Sequence, residues 1–272
     1  MIRAPARLYC RPPRAALSQS IPSNAEIQIE LHRALAPRYA YRYSFEFSRL
    51  FQADWHAEMM SHAPSGTRRV LDLGCGTGFF LADLDARHPG AVGLDISHEM
   101  LKVSERYVPR AKVVTGDAEK LPFRPGAFDA VFCKGSLHHT RDHVGFLENC
   151  KRTLGGRGVL VMSEPCNDNP LIRLARWVLY RLSPHFHADD RGFTRGELVG
   201  LCEKAGFEVV TVKRYGVFAY ALAGFPDHLP LLRWIPGSAA ITRMMIKIDR
   251  MMCATPVLSL FGFHIIVVGR PR

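Results

Sequence analysis

The chain has 272 residues, of which 47% are hydrophobic and 22% charged, a mixture that excludes wholesale disorder and a fibrous protein and allows a sizeable core. Its net charge of +11 favours an anionic partner, either nucleic acid, an anionic membrane or an acidic small molecule, without choosing among them. The seven cysteines form an odd set with no C-x-x-C, which argues against a disulfide framework and a cysteine-built zinc site and favours a reducing compartment.

The first 25 residues are basic, with four arginines and no acid before Glu26. We interpret residues 1–25 as a flexible tail, because four prolines interrupt any amphipathic helix there. The expected location is then the cytoplasm. A mitochondrial presequence, and with it the mitochondrial matrix, is the alternative.

Residues 26–65 are predicted to form an N-terminal helical segment, helical over 26–62 and rich in aromatic side chains. Tyr41 or Tyr43 is a candidate contact for a cationic ligand, since a ring face attracts positive charge. Packing of these rings in the core is the simpler interpretation.

From Arg69 onward, short apolar runs alternate with helical patterns, which predicts a parallel sheet with crossover helices. The predicted strands include 158–163, 207–212 and 262–269, and a capping box at Thr194 predicts a further helix. We assign 66–272 to one domain. Two stretches in it, 165–193 and 218–261, are too long for simple connections and are predicted to be insertions that form a lid or substrate pocket.

A strand runs directly into a glycine turn at Asp72-Leu73-Gly74-Cys75-Gly76-Thr77-Gly78. Glycines let the backbone approach a ligand closely. A nicotinamide dinucleotide is disfavoured, because that fingerprint needs a small residue where Phe79 stands, and the turn lacks the lysine of a phosphate-binding loop. The carboxylate of Asp72 suits a ligand ammonium, so a nucleoside that carries an amino acid fits better than a pyrophosphate.

Two more acids follow the next strands. Asp95 ends the second strand, where a carboxylate can accept hydrogen bonds from both ribose hydroxyls. Asp117 and Ala118 follow the third, placed to accept from an adenine amino group and to donate a backbone N–H to its ring.

The segments DLGCGTG, GLD, GDAEKLPF and FDAVFCKGSLHH occur in this order and resemble the successive signatures of class I S-adenosylmethionine-dependent methyltransferases. The small-molecule branch that includes ubiquinone and menaquinone biosynthesis enzymes is most similar. The resemblance implies a Rossmann-like, doubly wound α/β fold, with a seven-stranded, mostly parallel sheet whose final strand is antiparallel. It also implies S-adenosylmethionine as cofactor, bound by residues of the glycine turn and of the loops after the strands: Asp72, Gly74, Cys75, Gly76, Asp95, Ile96, Asp117, Ala118 and Leu137.

Methyl transfer needs the acceptor, methyl group and sulfur held in line, and a base only where the acceptor must lose a proton. His138 and His139, at the carboxyl end of the fourth strand, are the candidate catalytic bases; capping or packing of this loop is the alternative. The tract 185–190, HFHADD, has the residue types of a metal site, but we interpret it as polar lid residues and expect no metal.

Both insertions contain a basic amphipathic helical pattern. In 171–182 one face carries Leu171, Leu174, Ala175, Val178 and Leu182, and in 241–252 one face carries Ile241, Met244, Met245, Ile248 and Met252. Such helices can lie on an anionic membrane, which favours a lipid-like or other apolar small acceptor. The alternative, which we favour, is that both helices bury these faces on their own domain.

The predicted function is therefore methylation of a small, apolar or lipid-like acceptor, with peripheral membrane contact as a hypothesis and no transmembrane helix. RNA methylation is the alternative that the high pI suggests, but the Asn/Asp-Pro-Pro-aromatic signature is missing after the fourth strand, so a nucleic-acid partner is disfavoured. A domain that binds the cofactor without turnover is the third alternative.

Overall fold

The computed structural model describes residues 43–182, 192–224 and 230–272. The predicted basic tail, Tyr41 and the 185–190 tract therefore lie outside the described residues.

The described elements alternate as the sequence pattern predicts. In chain order they are α1 (Glu46–Met60), β1 (Val70–Leu73), α2 (Phe79–Arg87), β2 (Val92–Asp95), α3 (His98–Tyr107), β3 (Lys112–Thr115), β4 (Phe128–Lys134), α4 (His143–Thr153), β5 (Leu154–Pro165), α5 (Pro170–Leu182), α6 (Arg195–Lys204), β6 (Phe207–Tyr215), α7 (Ser238–Cys253) and β7 (His264–Pro271). Short 3-10 or π turns cover Leu137–His139, Tyr220–Gly224, Pro230–Trp234 and Leu258–Phe261.

The strands form one sheet in the order β3-β2-β1-β4-β5-β7-β6. The pairs from β3 to β5 are parallel, whereas β7 pairs antiparallel with both β5 and β6. The predicted seven-stranded, mostly parallel sheet with an antiparallel final strand is confirmed. Strand order reverses between β1 and β4, and ligands of open α/β sheets bind outside the carboxyl ends of the strands at such a point.

Helix α1 packs across one face of the sheet. Phe51, Trp55 and Met59 lie about one helical turn apart and are at most 2% exposed. Burying each such side chain contributes about 1.5–3 kcal/mol, and truncating an aromatic one to alanine costs about 3–5 kcal/mol. The predicted N-terminal helix is confirmed over 46–60, while residues 43–45 form a turn before it. Helix α1 is therefore held in a fixed position beside the carboxyl ends of the strands.

Helix α5, in the first insertion, turns its apolar face outward. Its described exposed side chains include Leu171, Leu174 and Val178, at 62%, 56% and 41%. Arg176 is instead buried, because its guanidinium donates to the backbone carbonyls of Cys166 and Phe263. The expectation that this helix buries its apolar face is wrong for these residues. The backbone carbonyls of Cys166 and Phe263 need a hydrogen-bond donor, and the helix turns the Arg176 side toward them.

Helix α7, in the second insertion, repeats this inversion. Asp249 is buried and its carboxylate accepts from the N–H groups of Val217, Phe218 and Ala219. Met245 is buried as expected, but Met244 and Ile248 of the predicted apolar face are exposed, as is Met251. Here too the expected burial of the whole apolar face is wrong. The Asp249 side of α7 faces the domain, because its carboxylate binds the N–H groups of residues 217–219.

Within the described residues, no helix combines the length and apolar character that a bilayer crossing requires.

Candidate active site

The glycine turn after β1 is closed by backbone bonds and open on one side. Gly74 and Cys75 donate their N–H groups to the carbonyl of Leu94, at 2.7 and 3.0 Å. Gly74 has φ +77°, and a Cβ there would lie 2.0 Å from Oγ of Ser136, so only glycine fits. At Gly76, with φ +52°, a Cβ would meet no atom within 4 Å. The turn thus presents bare backbone to open space.

Asp72 lies beneath this turn, only 1% exposed. Its Oδ2 has no hydrogen-bond partner among the described residues. Burial raises the pKa of Asp72 to about 7, an effect that the positive charge of Lys134 opposes and the negative charge of Asp95 adds to. A buried, unsatisfied carboxylate oxygen suits a cationic ligand group, because pairing offsets the penalty of burying its charge.

Asp95 joins the end of β2 to the glycine turn. Its two oxygens accept from the N–H groups of Gly76 and Ser97, each at 2.8 Å. A carboxylate has about four acceptor positions, so these bonds orient the group without exhausting it. Ile96, the next residue, is half-buried. Cys75 is buried, and burial raises the pKa of its thiol, so a thiolate is disfavoured there.

Asp117 and Ala118 are half-buried after β3. Asp117 accepts from the N–H of Glu119 at 2.8 Å, which holds its carboxylate at the strand end. The structure thus brings Asp72 near the end of β1, Asp95 at the end of β2 and Asp117 after β3 to one edge of the sheet. Leu137 differs, since its side chain is fully buried and its N–H donates to Glu164. Its contact with the cofactor stays a prediction.

The loop after β4 is organised by one buried carboxylate. Glu164 is fully buried and accepts from the N–H groups of Ser136 and Leu137, at 3.1 and 2.9 Å. Its other oxygen lies 2.7 Å from Nδ1 of His138. An ionised carboxylate is only an acceptor, so His138 donates through Nδ1 and its Nε2 is the acceptor nitrogen. This is the orientation of a histidine prepared to accept a proton.

His139 is half-buried, and its ring lies 4.0 Å from that of His138. The two rings occupy the short turn Leu137–His139 together, but only His138 contacts Glu164 in the described structure. The geometry therefore distinguishes two histidines that the sequence pattern treats alike.

A cluster around Lys134 was missed by the sequence analysis. Its Nζ lies 2.7 Å from Oε1 of Gln52, 2.6 Å from Nε2 of His56 and 4.5 Å from the centre of the Trp55 ring. Burial and the Lys134 charge lower the pKa of His56 from 6.5 to about 3, although Asp83 opposes the shift. His56 is thus a neutral acceptor that holds the ammonium. Gln52 and His56 lie 82 and 78 residues before Lys134 in the chain, so no local motif indicates the cluster.

Tyr43 lies beside the glycine turn, where its ring stacks on Phe79 with centroids 3.5 Å apart. Phe79 is the first residue of α2, directly after Gly78. Tyr43 is thus close to the proposed ligand position, while the role of the ring toward a cation stays a prediction.

Comparison with known proteins agrees with this arrangement. Residues 71–162 match the family model of a methyltransferase domain. The chain is 30% identical to a demethylmenaquinone methyltransferase of Roseiflexus over 194 residues, which cover 62% of this chain and 80% of that protein. It is 33% identical to the malonyl-[acyl-carrier protein] O-methyltransferase of Legionella pneumophila over 121 residues, 43% of this chain and 40% of that protein.

The fold also matches a solved structure. An S-adenosylmethionine-dependent methyltransferase from Thermotoga maritima superposes with a TM-score of 0.63 at 18% identity, over 90% of this chain and 99% of that one. At this identity the likeness shows the fold alone.

Proposed function

Since this chain belongs to the class I S-adenosylmethionine-dependent methyltransferases of the ubiquinone and menaquinone type, we propose that it methylates a small acceptor of apolar or lipid-like character. The chain is an enzyme and uses S-adenosylmethionine. The observation that carries the proposed acceptor class is the distribution of exposed apolar side chains. Among the described residues, fourteen of the sixteen large exposed hydrophobic side chains belong to the two insertions.

The cofactor supplies an activated methyl group on a sulfonium sulfur. The unsatisfied Oδ2 of Asp72 would take the ammonium of its amino acid part, and the backbone of Gly74, Cys75 and Gly76 would lie against it. Asp95 and Ile96 would hold the ribose, and Asp117 and Ala118 the adenine. The orphaned carboxylate oxygen and the open side of Gly76 both fit this ligand, because one needs a cation and the other leaves room for close approach.

His138 would act as the general base where the acceptor carries an acidic proton. Glu164 fixes its donor nitrogen, so the proton of the acceptor would pass to Nε2. The resulting imidazolium lies 2.7 Å from the carboxylate of Glu164, which stabilises its charge. The contact with Glu164 therefore favours His138 over His139 as the base.

The names of the similar proteins support a small acceptor. One acts on a demethylated menaquinone and the other on a malonyl group carried by a protein. Leu174, Trp234 and Met251 are 56%, 75% and 72% exposed. Their exposure supports the lipid-like class, because single exposed apolar side chains are ordinary but their concentration in two segments is not.

We also propose that these insertions rest on an anionic lipid surface. Arg173 and Lys247 are exposed beside apolar side chains on α5 and α7, and the guanidinium of Arg233 stacks on Trp234. Such interleaving suits a membrane interface, where apolar side chains insert and basic ones pair with phosphates. Two basic side chains of α7 instead form ion pairs within the protein: Arg243 pairs with Glu46 of α1, and Arg250 pairs with Asp54 of α1.

The function is tested with methyl-labelled S-adenosylmethionine and a cell extract, by counting label in organic-soluble, aqueous, RNA and protein fractions. We expect label in the organic fraction, lost with Asp95→Ala. Label confined to RNA would reject the acceptor class and support RNA methylation. Cofactor binding without label in any fraction would favour a non-catalytic binder.

The membrane contact is tested by co-sedimentation with vesicles of phosphatidylcholine, with and without phosphatidylserine. Leu174→Glu and Met251→Glu should each weaken binding to the anionic vesicles. Val210→Glu, at a 43% exposed apolar position of β6 outside both insertions, is the matched control and should change it little. Equal loss in all three variants would mean that only charge matters, and the apolar surface would be rejected.

A further inference from the structure

Four side chains from four parts of the chain form a continuous polar chain at the carboxyl edge of the sheet. Nε1 of Trp55 lies 3.1 Å from Oγ of Ser163, which lies 3.2 Å from Nδ1 of His264. Nε2 of His264 lies 3.0 Å from the hydroxyl of Tyr220. Neither the glycine turn nor the His138 loop uses any of these groups.

The direction of the hydrogen bonds follows from the donors. The indole N–H of Trp55 can only donate, so the oxygen of Ser163 accepts it. Ser163 is fully buried, so its hydroxyl hydrogen needs an acceptor, and Nδ1 of His264 is the acceptor in contact with it. This selects the tautomer of His264 with its hydrogen on Nε2, which donates to the oxygen of Tyr220. The hydroxyl hydrogen of Tyr220 therefore points away from His264. In this series of hydrogen bonds, Tyr220 accepts from His264 and can donate to a further group.

The surroundings of His264 are positive. Burial lowers its pKa well below 6.5, and the charges of Arg176, His138 and Lys134 act in the same direction. The carboxylates near this region are already engaged, Glu164 with the His138 loop and Asp249 with the N–H groups before Tyr220. His264 is therefore a neutral relay and a poor final proton acceptor, while an anion placed here would be stabilised.

The position of Tyr220 is fixed by its backbone conformation and by ring contacts. It begins a one-turn π-helix, Tyr220–Gly224, an element often found at functional sites. Its ring stacks on Phe263 at 5.0 Å and meets Trp55 edge-on at 5.8 Å. Gly216, at φ +71°, permits this close approach, because a Cβ there would lie 2.8 Å from Cβ of Tyr220. Tyr220 is half-buried, at the start of the second insertion.

We infer that Tyr220, oriented by His264, Ser163 and Trp55, donates a hydrogen bond to an acidic oxygen of the methyl acceptor and holds that oxygen as an oxyanion. The acceptor is thereby specified as a phenol or enol with an apolar body. The inference rests on the proposed function for its apolar acceptor. In the step, the O–H bond of the acceptor breaks, its proton passes to Nε2 of His138, and the electron pair stays on the oxygen that faces Tyr220.

The test uses 4-nitrophenol that carries an alkyl chain, since its phenolate absorbs separately from the phenol and the bound form can be titrated directly. With S-adenosylhomocysteine present, we expect the wild-type enzyme to lower the pKa of the bound probe. In Tyr220→Phe the phenolate should bind about tenfold more weakly, because a hydrogen bond to a charged oxygen is lost. The pKa of the bound probe should rise accordingly.

Tyr215→Phe is the matched control, since its hydroxyl bonds to Asp54 at 2.6 Å, outside the polar chain, and it packs on the same Trp55. His264→Phe should reproduce the Tyr220→Phe result. An unshifted probe pKa in the wild type, or an equal shift in Tyr220→Phe, would overturn the inference. The probe titration needs no methyl transfer, so it is independent of the extract labelling. Label in RNA alone would reject the proposed acceptor class, whereas the probe titration alone decides whether Tyr220 stabilises an oxyanion.

Discussion

The two halves of the carboxyl edge of the sheet are assembled differently. On the β1–β2–β3 half, the groups proposed to hold the cofactor lie at the ends of their strands or directly after them, and Asp95 bonds to Gly76 only 19 residues away. On the β4–β5–β7 half, the side chains come from distant segments: Trp55 and Ser163 are 108 residues apart, and Ser163 and His264 are 101 apart.

This difference has a functional meaning. A cofactor common to a family can be bound by a short, locally encoded turn. The acceptor differs among the similar proteins, and the site that we propose for it here is built from an insertion and from long-range pairs. We therefore expect substitutions in the first half to change cofactor binding, and substitutions in the second to change turnover and acceptor recognition.

The largest effect is expected at the acceptor half. His138→Asn should lower kcat by about 10²–10⁴-fold, because the base is lost, while the Kd for S-adenosylhomocysteine stays unchanged. The measurement pairs initial rates on the labelled organic acceptor fraction with calorimetric titration. His143→Asn is the control, since that ring packs on Phe193. A parallel loss of cofactor affinity in His138→Asn would break the division between the halves.

A smaller effect is expected at the cofactor half. Gly76→Ala should weaken S-adenosylhomocysteine binding about tenfold or more, since the added methyl group enters the space proposed for the ligand. Gly90→Ala is the matched control, because φ is +87° there and a Cβ also meets nothing within 4 Å. Both variants should lose about 1–2 kcal/mol of stability from the left-handed backbone, so that thermal unfolding separates strain from binding.

Gly76→Ala binding equal to that of Gly90→Ala would mean that the open side of the turn does not face the cofactor. The proposed cofactor site would then be supported only by Asp72, Asp95 and Asp117.

The same contrast explains what the sequence could predict. The glycine turn, Asp72 and Asp95 were found because strand, turn and acid follow one another in a few residues. Lys134 with His56 was missed, since their pairing depends on how α1 crosses the sheet. The faces of α5 and α7 were assigned wrongly because an amphipathic pattern assumes that charges face water, whereas Arg176 and Asp249 are buried against backbone groups that need them.

The smallest effect concerns the charge of Asp72. Because burial raises its pKa to about 7, the protonated form is favoured in the folded protein, and this group lowers the stability of the cofactor-free enzyme as pH rises from about 4 to 7. A ligand ammonium needs the ionised form. Binding of S-adenosylhomocysteine should therefore tighten about fivefold between pH 6 and pH 7, with uptake of the ligand accompanied by proton release.

Titration calorimetry in buffers of different ionisation enthalpy measures both quantities. Asp72→Asn should bind more weakly and lose the pH dependence over this range, where the ligand amino group stays protonated. Asp117→Asn, at a half-buried acid of the same half, should keep the pH dependence. If Asp72→Asn retained it, the proton would belong to another group, and the buried acid beneath the glycine turn would be a structural element of β1 instead of the partner of the ammonium.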